Sequence, residues 1–66
     1  MQPHEQRVVD EKTELDARLE RLRHFMTTGV FRSLDNLERD LMWRQAAYMS
    51  AYSQTLGERI ATFVKD

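Results

Sequence analysis

The chain has 66 residues, no cysteine, one proline, two glycines and a net charge of −1. Such a length allows one domain with little interior, the kind that needs a disulfide, a metal or a partner subunit. Lack of cysteine excludes disulfides and thiolate metal sites, scarce turn-formers exclude an all-β barrel or sandwich, and near-neutral charge gives no field to gather nucleic acid.

Hydrophobic residues make up 41% and charged residues 32%, a balance suited to amphipathic helices. The opening stretch, Met1 to Leu15, is polar and carries both signs of charge, so no signal peptide is expected there. The longest charge-free run, Gln45 to Gly57, is too short and too polar to cross a bilayer. A cytoplasmic protein is the expectation.

In chain order, Pro3 stands where a first-turn proline is tolerated. Val8, Leu15, Leu19, Leu22 and Met26 then recur at helical spacing, with Phe25 beside them. This predicts helix 1 over about 4–27, ended by Thr27, Thr28 and a left-handed Gly29. A loop over 28–33 follows, with Ser33 as the expected N-cap of the next helix. Helix 2 is predicted over about 34–64, interrupted only by Gly57. Its expected inward face is Leu37, Leu41, Gln45, Tyr48, Tyr52, Leu56, Ile60 and Phe63. Glu14–Arg18, Asp35–Arg39 and Asp40–Arg44 have the spacing of helical surface ion pairs.

The fold class is therefore all-α, a single domain over residues 1–66 built as an antiparallel two-helix hairpin. The hairpin alone leaves too much apolar surface uncovered. The middle of helix 2 is apolar on several sides, as a helix buried all round would be. Met42, Trp43, Ala46, Met49, Ser50 and Ser53 are the expected partner or oligomer interface. Ala46, Ser50, Ser53 and Gly57 form a small-residue stripe that would let another backbone approach. A homo-oligomer is expected, most simply a dimeric four-helix bundle.

Catalysis finds no support. There is no nucleophile elbow and no phosphate-cradling glycine loop, so no catalytic residue is assigned. Glu20 and His24 share a helix face, but the further ligands of a di-metal bundle are missing, so neither a metal nor a cofactor is expected. Eight of the ten basic residues are arginine, the residue suited to bidentate anion contacts. Arg18, Arg21 and Arg32 are the candidate anion contacts, with Lys12 and Arg23 nearby. Trp43, Tyr48 and Tyr52 could stack a base. Lys12 and Gln45 interrupt the apolar seams, where polar residues can fix register or oligomer state.

Two stretches carry a family likeness: Pro3-His4-Glu5-Gln6-Arg7-Val8-Val9-Asp10-Glu11-Lys12-Thr13-Glu14-Leu15-Asp16, and Met49 through Tyr52-Ser53-Gln54-Thr55-Leu56-Gly57-Glu58-Arg59-Ile60. They resemble a family of short proteins of tailed phages and prophages named for a relative in a crAss-like phage. The resemblance implies a phage or prophage origin, a bacterial host cytoplasm and a helical hairpin, and supplies no catalytic residue. Arg7, Glu11, Tyr52 and Arg59 match the family's polar positions and are expected to form a buried or interfacial network where the start of helix 1 meets the end of helix 2. By that analogy the leading expectation is a non-enzymatic oligomer that binds and modulates a host defence or regulatory protein. The alternatives are a sponge for a small nucleotide signal at subunit interfaces, and a structural phage component.

Overall fold

The computed structural model describes residues 1–63, and every regular element within them is a helix. Helix α1 runs Pro3–Phe25, with proline at its first position, where no amide hydrogen is needed. The Gln2 amide donates to Glu5 Oε1 at 2.8 Å, tying the first turn. At the other end the Thr27 and Thr28 hydroxyls donate to the carbonyls of His24 and Phe25 at 2.7 and 2.6 Å. Gly29 is not left-handed, so that expected terminator is corrected. The two threonines satisfy the last carbonyls instead.

The connection is more structured than a loop. Gly29–Arg32 forms a one-turn helix, α2, capped by Thr28, whose Oγ1 accepts from the Phe31 amide at 3.3 Å. That turn rotates Phe31 inward, to 4% exposure, and leaves Val30 in solvent. Ser33 ends α2 by donating to the Val30 carbonyl at 2.6 Å, so it is not the N-cap expected for the next helix. Asp35 takes that role, accepting from the Glu38 amide at 2.8 Å. Helix α3 then runs Asn36–Ala61. The expected end of helix 2 near Val64 lies outside the described residues.

Early residues of α1 meet late residues of α3, so the two helices pack in opposite directions. His4 lies edge-on to Phe63, Lys12 bonds Ser53, and Leu19 clusters with Ala46. One core cluster, Leu19, Met26, Phe31 and Ala46, fills the end beside α2. The other, Val8, Leu15 and Leu56, fills the middle and the open end, with Ile60 and Phe63 packed on it. Leu56 is wholly enclosed.

The inward face of α3 differs from the expected one. Leu37, Leu41, Gln45, Tyr48 and Tyr52 point to solvent, and the face turned to α1 is Met42, Ala46, Met49, Ser53, Leu56 and Ile60, continued just past the helix by Phe63. Those positions alternate steps of four and three, the heptad spacing of a coiled-coil seam. Small Ala46 and Ser53 let α1 come close, while the two tyrosines keep their hydroxyls wet. The small residues thus serve the approach of α1. The three expected surface ion pairs are also absent among the described residues, where the one ion pair is Lys12–Asp16 at 2.8 Å. Arg39 is drawn instead to the Asn36 side chain and the Arg32 carbonyl.

Candidate functional site

An arginine and a tryptophan face each other across the helix pair. The packing places residues whose numbers sum to about 65 opposite one another, which brings Arg23 of α1 beside Trp43 of α3. Together with Ala46, Ala47, Ser50, Ala51 and Gln54 they line an open groove of about 430 Å³. Trp43 is 59% exposed. Its ring meets the buried Phe31 edge-on at 6.2 Å and 84°, and Phe31 meets Phe25 in the same way at 6.1 Å and 84°. Such edge-to-face pairs fix ring orientation beyond simple burial. The groove lining supplies an indole ring, a guanidinium, a hydroxyl and an amide among small alanines. A ring with an attached anion is the chemistry those groups suit.

The six interface candidates divide. Ala46 and Ser53 are buried inside the chain, and Met42 and Met49 are half-buried against α1, so these four are engaged within one copy. Trp43 and Ser50 sit on the groove. The anion candidates do not converge either. Arg18 is on the exposed face of α1, and Arg32 donates to the Thr27 carbonyl at 3.2 Å. Arg21 lines a second, shallower depression of about 620 Å³ with Ala17, Glu20 and His24. Arg7, Glu11, Tyr52 and Arg59 are all exposed, and no hydrogen bond joins them among the described residues. The sequence places Arg23 only beside the anion candidates and gives Ala47 and Gln54 no role, although the pairing register of two opposed helices contains the signal for Arg23.

One polar contact between the helices is well built. The Lys12 ammonium donates to Asp16 Oδ2 at 2.8 Å and to Ser53 Oγ at 2.9 Å, while Ser53 Oγ donates to Asp16 Oδ1. The hydrogen bond from Lys12, then that from Ser53, holds the Asp16 carboxyl below its ordinary pKa. Lys12 is thus the polar seam residue that meets a partner, whereas Gln45 is exposed and reaches only Met49 Sδ, at 3.9 Å. Among the described residues no three metal-binding side chains converge, and no helix is long and apolar enough to cross a membrane.

The model of one protein family, Sequestin, matches residues 2–62, nearly the whole chain. The chain belongs to the Sequestin family. That name denotes sequestration and is consistent with a binding, non-catalytic role toward a partner or ligand. It does not carry the phage naming that the residue resemblance implied. No curated protein and no solved structure matches the chain.

Proposed function

We propose that this member of the Sequestin family is a phage- or prophage-encoded sequestering protein of the host cytoplasm, a helical hairpin that assembles with copies of itself and captures a small nucleotide-class ligand without transforming it. The observation that carries this reading is the exposed Trp43, paired edge-to-face with Phe31 and lining one groove with Arg23. Stacking of a base on an aromatic ring contributes about 1–3 kcal/mol. A guanidinium adds a charge-assisted, bidentate contact to a phosphate. With a net charge of −1 the chain has no broad field to attract anions, so affinity must come from local groups such as these. The family name supports capture as the role, and the open groove is within the volume range of small-molecule sites.

Trp43 is the only tryptophan, so its fluorescence reports directly on the groove. Titration with mononucleotides and cyclic dinucleotides is expected to quench it. Trp43→Ala and Arg23→Gln should each weaken calorimetric affinity by about tenfold or more, the equivalent of 1.4 kcal/mol. Native mass spectrometry of the purified protein is expected to find retained nucleotide. Absence of both quenching and retained ligand would overturn the nucleotide reading.

Capture of a host protein is the second reading, supported by the same exposed Trp43. A protein pulled down by wild type and lost with Trp43→Ala, with no nucleotide retained, would favour it.

A further inference from the structure

Leu37, Leu41, Tyr48 and Tyr52 are four of the five exposed large hydrophobic side chains of α3, with exposures of 68%, 42%, 68% and 45%. At 100° per residue they fall within a sector about 60° wide, turned roughly 110° from the face that packs on α1. They lie on the opposite flank from the Trp43 groove. We propose that this stripe is the self-association face of the chain, and that it pairs antiparallel with the same stripe of a second copy about a two-fold axis near Arg44 and Gln45. The assignment rests on the reading of the chain as a homo-oligomer and adds the face and the register.

The spacing supports the direction. The steps along the stripe are four, seven and four, which read the same from either end. An antiparallel two-fold interface needs that symmetry, because residue i must meet j where j meets i. Here Leu37 meets Tyr52 of the second copy, and Leu41 meets its Tyr48, so each layer sets an aliphatic side chain against an aromatic one. A parallel pairing needs no such palindrome. Opposed helix dipoles favour the antiparallel arrangement as well.

Area supports the occupant. The chain is a rod of 51 × 15 × 14 Å that exposes 5181 Å². A compact monomer of 7.9 kDa would expose about 4,400 Å², so roughly 800 Å² is in excess. That matches what one partner buries in a standard stable interface, about 800 Å². The pairing leaves the Trp43 groove of each copy open.

Cysteine pairing and sedimentation together test the proposal. Within one chain residues 41 and 48 lie about 10 Å apart along α3, too far for a disulfide. The double variant Leu41→Cys with Tyr48→Cys is therefore expected to form a covalent dimer on oxidation. Leu41→Cys alone should not, because its two copies sit seven residues apart in this register. Wild type should sediment as a dimer at micromolar concentration, and Leu41→Glu should weaken the dimer by about tenfold or more. Cross-linking of Leu41→Cys alone would overturn the antiparallel register. A dimer untouched by Leu41→Glu, with no cross-link in the double variant, would overturn the face while leaving a homo-oligomer standing. A wild-type monomer would overturn both. If Leu41→Glu fails to fold, the cysteine pair still decides. Ligand quenching of Trp43 is read separately, so failure of the groove and failure of the face cannot be confused.

Discussion

Asp16 is half-exposed, yet it accepts from Lys12 on its own helix and from Ser53 on the other. Both bonds favour its charged form and hold its pKa below the ordinary 3.8. Whatever stability this contributes is complete above that value and is lost as the pH falls through the lower native pKa. Asp16→Asn removes it at every pH. Thermal melts should therefore show wild type above the variant at neutral pH, with the gap closing only below about pH 3.8. A gap that stayed constant into strong acid would show that Asp16 acts through shape alone. Lys12 was legible in the sequence as a polar residue in an apolar stripe. Its partners were not, because Asp16 reads as surface charge and Ser53 as a small residue until the two helices are set in register.

Element boundaries follow local chemistry, and α1 and α3 were readable for that reason. The short α2 was not. A four-residue turn has no periodicity to detect, and Thr28 becomes a cap only once Phe31 is drawn under the end of the pair. Hydrophobicity alone points to another face of α3, because leucines and tyrosines outweigh Ala46 and Ser53 in any count, whereas close helix approach selects the small residues. Gly57 can be tested at this scale. It lies within α3 with ordinary helical backbone, and a Cβ there would meet Lys12 Cε at 3.4 Å, the flexible end of a side chain. Alanine is favoured over glycine inside a helix by about 0.8–1.0 kcal/mol. Gly57→Ala is expected to raise the melting temperature by about 4–8 °C in a domain of this size. A lowered melting temperature would mean that Lys12 cannot give way and that its bond to Ser53 is lost.

At the scale of the molecule, folding and association should be one event. The buried apolar side chains of the described residues are Val8, Leu15, Leu19, Met26, Phe31, Ala46 and Leu56, a small core for the entropy of ordering two long helices. Large apolar side chains remain outside along α3. If a second copy covers them, dimer formation stabilises only the folded state, and stability must depend on concentration by mass action. A hundredfold rise in protein concentration then adds about 2.7 kcal/mol per dimer, which for two chains of 66 residues raises the melting temperature on the order of 10 °C. Circular dichroism melts across that range are expected to show the shift in wild type and to lose most of it in Leu41→Glu. A melting temperature independent of concentration would mean that the core within one chain suffices, and the excess surface would then need a partner other than a second copy.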